Sequence, residues 1–222
     1  MKEQTAVIIG ASGLTGNHLV NQMLQDDYFG TVRILVRKEL NFTHPKLQQQ
    51  IVDFNNIDDY TQKLGEGDII FCCIGTTTKK VKGNMAAYEK VDFDIPYNAA
   101  AIGIANNFKK FLMISSAGAN ANSNNFYLKL KGRIENALKQ FSFESMIIFR
   151  PGLLLGKRNE YRWGENILQN ATKFLSHFLF GSLQKYHSIE AKDVAGAMIA
   201  ASKKILPGYH IFEYPEIKKL LT

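Results

Sequence analysis

Thr5-Ala6-Val7-Ile8-Ile9-Gly10-Ala11-Ser12-Gly13-Leu14-Thr15-Gly16 is the stretch on which the fold turns. The residues before Gly10 form a short apolar, β-branched run, which predicts a buried strand. The residues after Gly13, Leu14 to Leu24, carry apolar side chains at helical spacing. Between them lie three glycines spaced G-x-x-G-x-x-G. Gly10 permits a sharp turn with positive φ. Gly13 has no Cβ, so an anion can approach the backbone, and Gly16 lets the helix pack tightly on the strand. A helix N-terminus exposes unpaired N–H groups and the positive end of the helix dipole. Gly10, Ser12, Gly13, Leu14, Thr15 and Gly16 are therefore expected to cradle the pyrophosphate of a dinucleotide.

The rest of the chain repeats the strand–helix alternation. Strands are predicted at residues 31–36, 50–53, 68–75, 110–114 and 145–150, with a last one near His210-Ile211-Phe212. Helices are predicted from Asn56 to Leu64, Tyr88 to Asn107, Phe126 to Phe141, Glu165 to Phe180 and Asp193 to Lys203. Asp92 or Asp94 would cap the second of these, with Pro96 tolerated in its first turn, and Asp193 would cap the last. Alternation of this kind argues for an α/β fold, a doubly wound parallel sheet of strand order 3-2-1-4-5-6. The expected organisation is one domain over residues 1–222, with residues 153–222 supplying a small helical substrate region. The apolar stripe of Glu165 to Phe180 predicts a wall or lid over the substrate.

Composition narrows the function. The formal charge is +7, from 27 basic and 20 acidic residues. The basic residues are dispersed and no nucleic-acid motif appears, so no nucleic acid partner is expected. No apolar run is long enough for a membrane span, and no signal peptide fits before the first strand. Cys72 and Cys73 are neighbours in a predicted strand, where their side chains point to opposite faces, so a disulfide is not expected. A cytoplasmic protein, monomeric or homodimeric, is the expectation.

Several residues could do chemistry. Arg37 and Lys38 follow the second strand, where an acid would bind the ribose 2′-hydroxyl of NAD and an arginine would accommodate the 2′-phosphate of NADP. Asp53 reads equally as an acceptor for an adenine amino group or as the start of a turn with Asn55-Asn56. Tyr127-Leu128-Lys129-Leu130-Lys131 is a Y-x-x-x-K. On a helix these two side chains share a face, and an ammonium beside a phenol favours release of its proton. That would equip Tyr127 for acid–base work on a carbonyl or alcohol. Ser115-Ser116 ends the fifth strand, and ligands of open α/β sheets lie at the carboxyl ends of strands. Arg158, Glu160, Arg162 and Glu165 read as a substrate mouth or a solvated ion-pair cluster, with Trp163 beside them.

Taken together, Gly10 to Gly16, Val52-Asp53-Phe54, Phe71-Cys72-Cys73-Ile74-Gly75-Thr76-Thr77, Ser115 to Ala119, Tyr127 to Gly132 and Phe149-Arg150-Pro151-Gly152 resemble the atypical short-chain dehydrogenases/reductases. Within them the likeness is to the HIV Tat-interacting protein (oxidoreductase-like) group, over nearly the whole chain. The resemblance implies a Rossmann fold, NADP(H) as cofactor and a catalytic set carried here by Ser116 (or Ser115), Tyr127 and Lys131. It implies that Lys131 also holds the nicotinamide ribose and that Pro151, Gly152 and Leu153 pass beside the nicotinamide. Arg37, Lys38, Asp53, Phe54, Cys73, Ile74, Gly75 and Ser115 complete the expected cofactor site. The implied activity is NADP(H)-dependent oxidoreduction of a small carbonyl or alcohol. The alternative is an NADPH-sensing module that binds a regulatory protein without significant turnover. A nucleotide-sugar epimerase or dehydratase ranks last, because little chain follows Gly152 to form a sugar-binding domain.

Overall fold

The computed structural model describes residues 3–41, 43–76, 81–156 and 181–222. β1 (Gln4–Ile9) runs through the glycine turn into α1 (Leu14–Leu24). β2 (Phe29–Val36), β3 (Leu47–Ile51), α2 (Ile57–Leu64) and β4 (Ile69–Cys72) follow. Next come α3 (Met85–Glu89), a π-helical turn over Lys90–Asp94, α4 (Ile95–Ala105), β5 (Lys110–Ile114), α5 (Phe126–Leu138) and β6 (Ser145–Phe149). The C-terminal part holds β7 (Leu154–Leu155), a 3₁₀ turn over Gly181–Tyr186, β8 (Ile189–Glu190), α6 (Ala191–Lys203), β9 (Gly208–Phe212) and α7 (Tyr214–Lys219).

The main sheet has the order β3-β2-β1-β4-β5-β6-β9, and all its pairings are parallel. The expected order is present and β9 extends it by one strand. Residues 153–222 are therefore more than a substrate region, since they complete the sheet at its far edge. β7 and β8 add a small parallel pair that the sequence pattern does not reveal.

Strand alternation sorts the core into two layers. Ala6, Ile8, Phe71, Leu112, Ile147 and Phe149 face one side, where α1, α6 and α7 bring Leu19, Met23, Val194, Met198 and Ile217. Val7, Ile9, Ile70, Cys72, Met113 and Ile148 face the other, where α2, α4 and α5 bring Tyr60, Leu64, Ala99, Ile134 and Leu138. A parallel sheet covered on both faces needs such continuous apolar strands. Cys72 and Cys73 fall on opposite layers, and both are free thiols.

Two expected helix starts differ. The helix read from Tyr88 to Asn107 is broken at the π turn, where the Ile95 N–H reaches the Lys90 carbonyl. Pro96 lacks the N–H that the Asp92 carbonyl would otherwise accept, so the ladder widens there. Neither Asp92 nor Asp94 makes a capping hydrogen bond, and Asp92 is fully buried. Likewise α6 starts at Ala191 after Glu190, which leaves Asp193 within the first turn.

α5 is locked to the sheet by a buried polar cluster. Glu135 accepts hydrogen bonds from the Ser115 hydroxyl and from Arg150, whose Nε lies 3.1 Å from both carboxylate oxygens. Arg150 also approaches Glu213 at 3.8 Å. Removing one partner of such a cluster strands the others. Glu135→Ala should lower stability by about 2–3 kcal/mol, less than the largest losses of this type because the Arg150 side chain, 20% exposed, keeps some contact with water. Urea unfolding measures this. A loss no greater than that of an exposed substitution such as Glu144→Ala would show that the cluster contributes nothing net.

Candidate cofactor and catalytic site

All the main strands run the same way, so their carboxyl ends share one edge. The order reverses between β1 and β4, which opens a crevice there. Gly10 sits at its floor with φ +89°, and a Cβ on it would lie 2.7 Å from the Cys73 carbonyl carbon. The Gly13 N–H donates to the Gly10 carbonyl at 2.9 Å, closing the turn. A Cβ on Gly16 would overlap that same carbonyl oxygen. Gly13 is the cap of α1 and no side chain bonds the helix's first turn. Ser12 and Gly13 are exposed, Leu14 is half-buried, and Thr15 is buried against the turn. An uncapped, exposed helix N-terminus lined by glycine fits a dinucleotide pyrophosphate.

At the ends of β2 and β3 the charges divide. Arg37 and Lys38 are exposed and make no ion pair with any described residue. Asp53 forms the turn: its carboxylate accepts the Asn55 backbone and side-chain N–H groups, both at 3.0 Å. Its backbone N–H donates to Asp59 at 2.8 Å, and the Asn56 side chain caps α2. Phe54 packs edge-on against Tyr60, with ring centroids 4.9 Å apart.

Beyond β4 the chain meets α5. Cys73 and Ile74 are half-buried and Gly75 is exposed. Burial pushes the Cys72 thiol up to about 12 and raises Cys73 well above its ordinary value, so neither is a ready nucleophile. The Thr76 N–H donates to Asp92 at 2.8 Å, and the other oxygen of Asp92 lies 2.8 Å from the Lys131 ammonium. Both side chains are buried. Burial, the largest influence, would lower the Lys131 pKa, but the adjacent Asp92 carboxylate, with smaller help from Tyr127 and Cys72, holds it above its ordinary value. Tyr127 is half-buried one turn away, its ring centroid 5.9 Å from the ammonium. The Y-x-x-x-K pair is thus together on one face of α5. Its ammonium, however, is not a lone positive charge, because Asp92 stands directly against it.

The two serines have different settings. Ser115 is buried, its hydroxyl given to Glu135 and its N–H to the Phe149 carbonyl at 2.7 Å. Ser116 is half-buried, and its hydroxyl makes one long hydrogen bond, 3.3 Å, to the Ala117 carbonyl. Of the pair, Ser116 is the one whose hydroxyl is not committed to another side chain. Pro151 accepts the Ala117 N–H at 2.9 Å, which ties the ends of β5 and β6 together. Gly152 lies against the backbone of Tyr186 and His187, where a Cβ would collide, and the Leu153 carbonyl accepts the Ile189 N–H.

The helix read at Glu165 to Phe180, and Arg158, Glu160, Arg162 and Trp163, lie outside the described residues. Asp92 and Glu135 were missed as site-edge residues by sequence reasoning. A signal existed for each. Asp92 is an acid inside an apolar helical stripe, and Glu135 stands one turn after Lys131 on the same face.

Residues 10–204 match the NAD(P)H-binding family. The chain belongs to that family. Among relatives, Protein HTATIP2 of Rattus norvegicus is 32% identical over 228 residues, covering 100% of this chain and 89% of the relative. Protein FMP52, mitochondrial, of Candida albicans is 28% identical over 206 residues, covering 90% and 89%. The fold matches UDP-N-acetylglucosamine 4-epimerase from Methanobrevibacter ruminantium M1 at a TM-score of 0.71 and 19% identity, over 96% of this chain and 77% of that one. It also matches MoeE5 in complex with UDP-glucose and NAD at 0.70 and 14%, over 95% and 75%. The NAD(P)H-binding chain thus has a Rossmann-like, oxidoreductase-type fold.

Gly10→Ala tests the floor of the crevice. The added methyl meets the Cys73 backbone and the left-handed φ disfavours any side chain. Stability should fall by roughly 1–3 kcal/mol, and dinucleotide affinity should fall with it. Thermal melting that matches wild type would contradict the close approach.

Proposed function

We propose that this chain is an NADP(H)-dependent oxidoreductase of the atypical short-chain dehydrogenase/reductase type, acting on a small carbonyl or alcohol. The observation that carries the reading is the placement of Tyr127 and Lys131 on one face of α5, at the sheet edge that also holds the uncapped N-terminus of α1. The nicotinamide, when bound, supplies or accepts the hydride. In reduction, the Tyr127 hydroxyl gives its proton to the substrate oxygen as that oxygen gains negative charge; in oxidation it takes the proton back. Ser116 polarises the same oxygen by hydrogen bonding. Lys131 anchors the ribose and stabilises the ionised tyrosine. Gly10 to Gly16 hold the pyrophosphate, and the backbone at Pro151, Gly152 and Leu153 borders the nicotinamide.

Preference for NADP(H) rests on Arg37 and Lys38, exposed at the end of β2 with no ion pair among the described residues. The setting in this reading is the reducing cytosol, supported by two thiols that cannot bridge. The Candida albicans relative is named as mitochondrial, and fractionation of a tagged chain decides the location. No helix of the described residues is long and apolar enough to cross a membrane.

One observation favours a second reading, an NADPH-sensing module that binds a regulatory protein. The Lys131 ammonium is already ion-paired with Asp92, so it can hold a ribose without activating Tyr127.

NADPH should bind about ten- to a hundredfold more tightly than NADH, and Arg37→Ala should remove most of that difference. Calorimetric titration of both cofactors measures it; equal wild-type affinities would overturn the preference. Tyr127→Phe should leave NADPH affinity intact and cut turnover of any accepted aldehyde, ketone or quinone by roughly 10²–10⁴. Turnover that survives this substitution would refute the tyrosine's role. A wild type that binds NADPH and turns over nothing on a broad panel would move the assignment to the sensor.

A further inference from the structure

Asp92 is a carboxylate in an apolar place. It is 0% exposed, and Tyr88, Ile95 and Pro96 around it are buried too. A buried charge is expensive unless it is paired and hydrogen-bonded, and a buried ion pair is poor evidence of stabilisation for its own sake. Asp92 sits in the π turn, the one irregular turn of an otherwise regular run from Met85 to Ala105. Such turns often serve to place a side chain. Its two oxygens do separate jobs. One lies 2.8 Å from the Lys131 ammonium and the other accepts the Thr76 N–H at 2.8 Å. Thr76 is held again from the same segment, its carbonyl accepting the Tyr88 hydroxyl at 3.1 Å. One carboxylate therefore connects the lysine of α5 to the loop that leaves β4 beside the glycine turn.

We infer that Asp92 is a positioning residue of the cofactor site, which keeps the Lys131 ammonium charged and fixed in place against the loop Cys73–Thr76. The inference rests on the cofactor reading above, in which Lys131 meets the ribose. Three groups face the ammonium among the described residues: Asp92 from the π turn, Tyr127 from its own helix and Cys72 from β4. The Cys72 thiol is pushed up to about 12, so it carries no charge near neutrality. Asp92 is then the carboxylate that opposes burial, and the largest of the groups that do, ahead of Tyr127. Without it, burial is opposed far less and Lys131 sheds its proton at lower pH.

The sign of the effect separates positioning from mere packing. In the wild type the Lys131 pKa is raised, so its stabilisation is complete below the ordinary lysine value and is lost only as pH climbs through the folded value. In Asp92→Asn the folded value falls below the unfolded one. The unfolded chain then binds more protons, and stability rises with pH across the intervening range. Affinity for a cofactor that needs the ammonium moves the opposite way.

The experiment titrates NADPH against wild type, Asp92→Asn and Lys131→Met from about pH 7.5 to about pH 10, a range in which the phosphates do not titrate. Melting of the cofactor-free proteins is measured over the same range. Wild-type affinity should change less than about threefold, while that of Asp92→Asn should fall at least about tenfold as pH rises. Relative to wild type, the melting temperature of cofactor-free Asp92→Asn should rise over that range. Lys131→Met should bind weakly, with no slope of its own. An Asp92→Asn affinity that equals wild type, or is reduced equally at every pH, overturns the inference and leaves the cofactor reading standing. A wild type that binds no NADPH at any pH overturns the cofactor reading and this inference with it. Should Asp92→Asn fail to fold, wild type against Lys131→Met still decides. A flat wild-type profile supports Asp92 as the lock, and a wild-type loss of affinity in this range that is absent from Lys131→Met overturns it.

Discussion

The glycine turn and the end of β4 meet backbone to backbone. Gly10 carries φ +89° and has no room for a side chain against the Cys73 carbonyl. The Cys73 N–H donates to the Ile9 carbonyl at 2.8 Å, so the two strand ends stay level. This contact sets the width of the crevice where the strand order reverses. It also fixes the direction in which α1 leaves the sheet, and hence where its uncapped N–H groups point. α6, which packs on α1, and β9 at the far edge are built outward from the same layer of Ala6, Ile8, Leu19 and Met23.

Charge inside the edge of the sheet is handled by two ion pairs at neighbouring levels of α5. Lys131 turns to Asp92 in the π turn, and Glu135, one helical turn on, receives Arg150 from the end of β6 and Ser115 from the end of β5. A lysine and a glutamate four residues apart on one helix would ordinarily pair with each other. Here each is taken by a partner from another element. The result ties α5 to four separate segments: the π turn, β5, β6 and, through Arg150 and Glu213, the exit of β9. The first pair borders the expected cofactor site, and the second holds the helix that carries Tyr127.

The likeness to epimerase structures and to HTATIP2 separates fold from chemistry. At 14–19% identity the solved structures share the sheet and its crevice. A fold of this kind hosts many reactions, and activity lies in the groups set around the crevice. In the proposed reading those groups are Tyr127, Lys131 buried in an ion pair with Asp92, and Ser116, whose hydroxyl holds no strong partner.

Local sequence was enough for the strands, for the glycine turn, for the order of six strands and for the Tyr127–Lys131 face. Each depends on periodicity or on a conformation that few residues tolerate, and both act over a few neighbours. The partners of buried charges were not legible. Asp92 read as a helix cap because the pattern around it is helical, but it lies buried in the π turn, where its carboxylate meets Thr76 and Lys131. Ser115 and Ser116 are adjacent and chemically identical. It took Glu135, twenty residues on in sequence and brought back by α5, to commit one and leave the other. The last strand was read at His210-Ile211-Phe212, but its place beside β6 was not, since parallel pairing joins residues far apart along the chain. Periodicity is a local property of the chain, whereas the neutralisation of a buried charge is settled by whatever the folded layers bring within hydrogen-bonding distance.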